Sequence, residues 1–166
     1  MRYTRTIKFS LIVIMMIVTI GLLCISCEKK ELAQSPPSSI LAEKISAQFT
    51  ELNINADNDA VKRIFGDKDK NNMDFSKIEN FSVRQSQNSE IGIFKLYSQE
   101  NAGYIKELAQ KRVLNLQTNA YNLQKLYIAN NGEVRSYGRY VYYAVHPEKD
   151  GIFKIIEDEL KGMCAQ

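Results

Sequence analysis

A long apolar segment near the amino terminus constrains this chain more than any other feature. Three basic residues within the first eight positions precede an almost unbroken run of Leu, Ile, Val and Met over residues 9–23. Ser26 and Cys27 follow, and residues 28–31 are then all charged. A basic, then apolar, then small-residue order is typical of a secretory signal peptide. The run is short for a transmembrane helix, which needs about 20 apolar residues, and an uncleaved anchor is the open alternative.

Two cysteines close this segment in the order Cys24-Ile-Ser-Cys27. A redox pair is expected beside a βαβ pattern, and a zinc site needs a second pair, whereas the only other cysteine is Cys164. The stretch resembles a bacterial lipobox, in which small and aliphatic residues precede the acylated cysteine. The serine and isoleucine occupy those places, although Cys24 stands where leucine is usual. The order predicts a lipoprotein signal peptide over residues 1–26 and lipid modification of Cys27.

Lipid attachment at Cys27 predicts a protein anchored in the cell membrane on its extracytoplasmic side. Two acyl chains give lasting attachment where one binds only marginally, and a diacylglyceryl cysteine carries two. Residues 27–38 form the lipidated cysteine and a linker, in which Pro36-Pro37 favours an extended chain. At about 3.3 Å per residue, this linker reaches at most about 35 Å. Residues 39–166 are the expected extracytoplasmic domain, with Cys164 as an unpaired thiol near its end.

The charge balance of the mature chain argues against nucleic acid as a partner. The whole chain carries 22 basic and 19 acidic residues, but three of the basic ones lie in the signal peptide and every acidic residue follows Cys27. The mature chain is therefore formally neutral, and it has no basic stripe with interleaved aromatic residues. Membrane lipid is the first predicted partner.

The rest of the sequence predicts a single α+β domain. Apolar residues at helical spacing alternate with short runs of strand-like residues that end in turn residues. The expected elements are a helix from Ser38 or Ser39, a helix over about 57–66, strands over 77–85 and 90–97, a helix over 99–117, two strands within 133–146 and a helix over 148–161. Residues 119–132 are interpreted as a looser segment. The order α-α-β-β-α-β-β-α predicts a four-stranded, mainly antiparallel sheet with helices packed on one face.

These patterns together resemble a family of lipoproteins from Gram-positive anaerobes labelled domain of unknown function 4358. The resemblance rests on the lipobox, the helix end "RIFG", the segment "IGIFKLYSQENA" before a long helix, and "GRYVYYAVHPEKD" before the last helix. It covers most of residues 40–161. It implies a surface-anchored α+β domain, and it brings no established activity and no catalytic residues.

Tyrosines supply the best candidate for a binding site. Alternation along the last strand places Tyr140 and Tyr142 on one face, and Tyr143 with the two aliphatic residues Val141 and Val145 on the other. Because the aliphatic set is expected against the helices, we predict that both tyrosines line the less covered face, with Tyr137 and Arg139 nearby. Such rings suit sugars or partner side chains. Tyrosine is also a favoured strand residue, so a purely structural role stays open.

Residues 66–74 are similar to the first half of a calcium-binding loop. Asp67, Asp69 and Asn71 occupy its first, third and fifth positions. Asn72 replaces the required glycine and Ile78 the closing glutamate, so a solvated loop is favoured. We predict no metal and no cofactor.

No catalytic constellation is apparent from the spacing of reactive side chains. His146 is the only histidine, and a structural role at a strand end is favoured because no nucleophile is placed beside it. Glu79, Glu90 and Glu133 make a glycosidase pair only if folding brings two of them together. We therefore expect a non-enzymatic module that binds an envelope protein or glycan. The alternatives are an enzyme that acts on cell-wall polymers and a domain that only spaces a larger complex.

Overall fold

The computed structural model describes residues 35–65 and 73–162. The predicted signal peptide, Cys27, most of the calcium-like loop and Cys164 lie outside these residues. Residues 36–160 form one unit, whose structure follows; residues 1–35 and 161–166 belong to another.

The described chain contains both helices and strands, which confirms the predicted mixture of α and β structure. In chain order the elements are α1 (Ser38–Gln48), β1 (Ile54–Asn55), α2 (Asn58–Phe65), β2 (Ile78–Gln85), β3 (Glu90–Leu96), α3 (Ala102–Thr118), α4 (Leu123–Asn130), β4 (Glu133–Tyr137), β5 (Tyr140–Val145) and α5 (Lys149–Gly162). Two of them, β1 and α4, are additional to the predicted order.

All neighbouring strands of the sheet are antiparallel, as predicted, but the sheet has five strands instead of four. The strand order is β1-β2-β3-β5-β4. The extra strand consists of two residues that pair with the end of β2, Ile54 opposite Gln85 and Asn55 opposite Arg84. A two-residue strand is too short to show an alternating pattern, and for this reason the sequence does not reveal it.

One face of the sheet, called the α3 face, is covered by α2, α3 and α4. Its core includes Phe94 and Tyr143 from the central strands and Ile105 and Val113 from α3. Gly92 lies directly opposite Tyr143 in the register of β3 and β5. A side chain at this glycine would collide with the Tyr143 ring. The absence of a side chain is therefore what lets the ring lie flat on β3.

The other face, called the α1 face, is covered by α1 and α5. The ring of Phe153 in α5 contacts that of Tyr142 in β5, with centroids 5.6 Å apart, and Leu41 and Ile45 of α1 are fully buried. The expectation of helices on one face only is therefore wrong. Every residue of β3 and β5 is buried, and strands that are buried along their whole length need a covering layer on each side.

Short polar side chains mark the ends of several elements. Asp57 caps α2 by accepting a hydrogen bond from the Ala60 amide. Asn122 caps α4 in the same way. The start of α1 has no side-chain cap, and Ser38 instead donates from both its amide and its hydroxyl to Asn80 of β2. The first turn of α1 is thereby bonded to the sheet.

Candidate functional site

The two tyrosines predicted to form an open platform are buried. Tyr140 and Tyr142 are 2% and 1% exposed, because α1 and α5 cover the face on which they lie. The Tyr140 hydroxyl donates to the carbonyl oxygen of Pro36 at 2.5 Å. The Tyr142 hydroxyl lies 3.4 Å from Oε1 of Glu157, and burial, followed by the charge of Glu157, raises its pKa. The predicted exposure is wrong, and both side chains hold helices and linker against the sheet.

Arg139, the basic residue of the predicted site, lies within an ion-pair cluster. Its Nη1 donates to Oε2 of Glu79 at 3.0 Å and to the carbonyl oxygen of Leu96 at 3.1 Å. The other carboxylate oxygen of Glu79 lies 2.8 Å from the buried Lys95 ammonium. A β-bulge at Glu79 turns it toward both bases. Tyr137 is partly buried and lies opposite Tyr140 in the register of the hairpin. The predicted residues are neighbours, but they form no open platform.

Glu90 lies in the most enclosed polar cluster of the described chain. Arg112 binds it bidentately, with 2.8 Å from Nε to Oε1 and 2.6 Å from Nη2 to Oε2. The Tyr143 hydroxyl donates to Oε1 and the Gln85 amide to Oε2, both at 2.6 Å. Burial opposes the charge on Glu90, but the hydrogen bonds and charge of Arg112 outweigh it and lower the pKa. A carboxylate so fully bonded is unsuited to proton transfer.

Glu133 belongs to a third, more exposed cluster. Arg135 lies between Glu133, Asp150 and Glu157, at 2.7, 3.1 and 3.2 Å, and its guanidinium stacks over the Phe153 ring. The hydrogen bond from Arg135 is the main reason that the pKa of Glu133 is lowered. Glu79, Glu90 and Glu133 thus have separate basic partners, and no two of them face each other across a cleft as a glycosidase requires.

His146 lies directly after β5 and is enclosed by its neighbours. It is 3% exposed, and its Nδ1 accepts a hydrogen bond from the Glu148 amide at 3.0 Å. Nε2 therefore carries the proton and donates to Oε1 of Glu51 at 2.8 Å. Phe49 contacts the ring edge-on. The histidine joins the end of β5 to the chain after α1.

The described residues offer no metal site. Within residues 35–65 and 73–162, no group of three His, Cys, Asp or Glu side chains is arranged around a common point. Asp74, the last residue of the calcium-like segment, uses its Oδ1 to accept from the amide and hydroxyl of Ser76. Residues 66–72 of that segment lie outside the described residues.

An open groove of about 640 Å³, here called the Arg84 groove, lies between α1, the β1–α2 connection and β2. Its polar lining consists of Ser39, Glu43, Asn55, Asp57, Asn58, Asp59, Ser82 and Arg84. Arg84 is its only basic side chain, and in the described chain it has neither an ion pair nor a hydrogen bond from its enclosed Nε. Unpaired buried donors are rare in folded proteins. This donor is the best sign of a ligand site that the structure offers.

The groove is lined by groups that match a ligand rich in hydroxyls. Asn55 and Asn58 carry amides that both donate and accept, Ser39 and Ser82 carry hydroxyls, and Glu43 supplies an exposed carboxylate. The guanidinium offers several donors in one plane. Sequence inspection does not find this site, because its parts come from separate elements and nothing local marks Arg84 as unpaired.

A second cavity of about 220 Å³ lies beside the β2–β3 turn and the Glu90 cluster. Lys125 of α4 and Arg112 line it, together with Asn88, whose Oδ1 is enclosed without a partner among the described residues. It is smaller than most ligand pockets, which occupy about 300–1,000 Å³.

Comparisons with known proteins find no relative of this chain. No family model matches the chain, and neither a curated protein nor a solved structure is significantly similar to it. The resemblance described above therefore stays a prediction. Of the described helices, none is long and apolar enough to span a bilayer.

Proposed function

We propose that this protein is a non-enzymatic lipoprotein, anchored through Cys27 on the extracytoplasmic side of the cell membrane, that binds an envelope glycan in the Arg84 groove. The lipobox and the short linker support the anchor and the location. The unpaired Arg84 in an open groove supports the binding site, and it replaces the tyrosine face as the predicted contact. Membership of the family named above is part of the same proposal.

A neutral glycan suits the groove better than an anion does. Arg84 is accompanied by Glu43, Asp57 and Asp59, so a phosphate or a polyanion would meet three carboxylates for one guanidinium. Sugar hydroxyls, in contrast, accept from the guanidinium and donate to carboxylate and amide oxygens. These features favour a segment of polysaccharide over a compact anion.

Hydrolysis of the glycan is not part of the proposal. Two of the three groove carboxylates already have a structural contact, since Asp57 caps α2 and Asp59 lies 3.9 Å from Lys62. The carboxylates named from the sequence lie in separate ion pairs elsewhere. The chemistry present is recognition by hydrogen bonds.

Co-sedimentation with purified, insoluble cell-wall sacculi tests the proposal. The lipidated full chain in mild detergent should bind, and R84Q should weaken binding by about 10-fold or more, since hydrogen bonds to a charged group contribute roughly 1.5–3 kcal/mol. The matched control is R63Q, which removes an exposed arginine of α2 outside the groove. R63Q should bind as the unaltered protein does.

Equal binding by R84Q and the unaltered protein would exclude the groove. Release of reducing sugars from the sacculi by the unaltered chain would favour the enzyme alternative instead. If the folded protein did not bind sacculi at all, a glycan partner would be excluded. An envelope protein would then be the remaining partner.

A further inference from the structure

Apolar side chains are exposed together around α4. The described residues include eight large hydrophobic side chains that face solvent, and five of them fall between positions 114 and 127. This set, here called the α4 surface, consists of Leu114, Tyr121, Leu123, Leu126 and Tyr127. Leu123 is 85% exposed, and the two tyrosines are each 68% exposed. Isolated exposed leucines are ordinary, whereas a contiguous group marks an interaction surface.

The helix geometry gives these residues a common direction. Leu123, Leu126 and Tyr127 are three and four positions apart and therefore share one face of α4. The opposite face holds Ile128 and Ala129, which are buried in the core of the α3 face. The helix is thus apolar on two sides, and only one of them has a partner in the described chain.

The charge that remains unneutralised at the α4 surface is basic. No acidic residue occurs between Glu107 and Glu133, whereas Lys111, Arg112 and Lys125 lie in this stretch. Arg112 is neutralised by Glu90, and Lys111 pairs with Glu107 at 3.0 Å, so Lys125 is the base that remains. The ammonium of Lys125 lies 4.6 Å from the centre of the Tyr121 ring. Leucines, tyrosines with polar tips and lysines with long apolar stems are the residues that the membrane interface favours.

We propose that the α4 surface lies against the lipid bilayer. Helix α4 has eight residues and is about 12 Å long at 1.5 Å per residue. A stable protein interface needs about 800 Å² from each partner, and so short a helix supplies only part of that. A bilayer needs no matching surface, and the positive charge of Lys125 complements anionic headgroups.

The predicted tether makes this contact a second attachment point. Tyr140 holds Pro36 near the start of β5, whereas α3 runs back along the sheet before α4 begins. Residues 27–36 reach about 30 Å at about 3.3 Å each. That length lets the domain lie on its α3–α4 side while the linker remains attached at the other end. An uncleaved apolar segment would hold the chain at the membrane equally well.

Tryptophan scanning offers a direct test because the chain contains no tryptophan. The full chain is reconstituted into vesicles of phosphatidylcholine with about one-third phosphatidylglycerol, with or without brominated acyl chains. Y127W places an indole on the α4 surface. Y97W is the matched control, since Tyr97 is 60% exposed and lies at the end of the sheet near Pro36.

Emission of Y127W should shift to shorter wavelength on reconstitution, and brominated lipid should quench it at least twofold more than it quenches Y97W. Adding L123E to Y127W should reverse both effects, because a carboxylate is excluded from the interface. Equal quenching of the two indoles would overturn the proposal. A shift that grows with protein concentration in detergent, without quenching by brominated lipid, would also overturn it and identify a second copy as the occupant.

Discussion

Two arginines show that the surroundings of a charged side chain decide whether it stabilises the fold or is available to a ligand. Arg112 and Glu90 satisfy each other, with Tyr143 and Gln85 occupying the remaining acceptor positions. Arg84 has no such partner among the described residues and faces an open groove. A closed network specifies one packing arrangement, whereas an open donor is available to a ligand. We therefore interpret Arg112 as a structural residue and Arg84 as a ligand-binding residue.

Replacing Glu90 by Gln should destabilise the protein by about 3 kcal/mol, because it leaves the Arg112 charge buried without its counterion. The matched control is E107Q, whose carboxylate forms an exposed pair with Lys111 at 3.0 Å and should contribute less than about 0.5 kcal/mol. Urea unfolding of the full chain in detergent measures both. Equal losses in the two variants would contradict the structural role of Glu90.

The pH dependence of stability follows from the same carboxylate. The folded-state pKa of Glu90 lies below its ordinary value of 4.5, so the unfolded chain binds the proton more readily. The stabilisation is complete above pH 4.5 and is lost as the pH falls through the folded-state pKa. Unfolding free energy should therefore decline below about pH 4.5, and E90Q should decline less steeply. Parallel curves would contradict this assignment.

Removal of the guanidinium of Arg84 should not reduce the stability of the protein, in contrast to E90Q. R84M removes an enclosed donor that has no partner, and leaving such a donor unbonded costs about 1–3 kcal/mol. The variant should therefore unfold at the same or a higher urea concentration than the unaltered chain, while binding to sacculi falls. A loss of stability similar to that of E90Q would indicate that Arg84 is a structural residue.

At the scale of elements, the sequence best predicts those helices and strands whose apolar residues are all buried in the core. Helix α1, the two hairpins and α5 lie within a few residues of their predicted positions. Helix α4 is missed because its leucines and Tyr127 face outward, so its pattern does not indicate a single buried stripe. The Asn122 cap is the signal that marks its start.

The buried tyrosines show where element patterns mislead about a site. Alternation correctly separates Tyr140 and Tyr142 from Tyr143, but it does not reveal which faces are covered. The near-continuous apolar runs in β3 and β5 are the better indicator, since such runs belong to strands with a layer on each side. Such runs indicate that neither face of these strands is open enough to form a binding platform.

The pairing of β3 with β5 depends on the missing side chain at Gly92. G92A should destabilise the protein by about 2–4 kcal/mol, because the new methyl group would displace the packed Tyr143 ring. G103A is the matched control, since nothing lies near that position in α3; alanine there should stabilise the helix by about 0.5–1 kcal/mol. Thermal unfolding followed by circular dichroism should give shifts of opposite sign. Shifts of the same sign would contradict the close approach.

At the scale of the whole molecule, the proposed contacts lie on different parts of one rigid sheet. The Arg84 groove opens beside β1 and β2 at one edge, whereas α4 packs on α3 and β5. A domain lying on its α4 surface therefore leaves the groove free for glycan. Neither contact is predictable from the sequence, since one depends on Arg84 having no ion pair among the described residues and the other on which face of α4 remains uncovered there.

The proposed location of the protein depends on lipid modification of Cys27, and two cysteine variants test it. C27S should abolish lipid attachment, leave the signal peptide uncleaved and eliminate the mature amino terminus. C24S should leave processing intact, because Leu23 makes Cys24 a poor acceptor, and the altered residue is removed with the signal peptide. Intact mass spectrometry of membrane extracts reads both outcomes: a diacylglyceryl mass on a chain starting at residue 27 in C24S, and none in C27S. A lipid-free chain that starts at Met1 in the unaltered protein would instead make residues 9–23 the anchor, and the tether between membrane and domain would then include the whole amino-terminal segment.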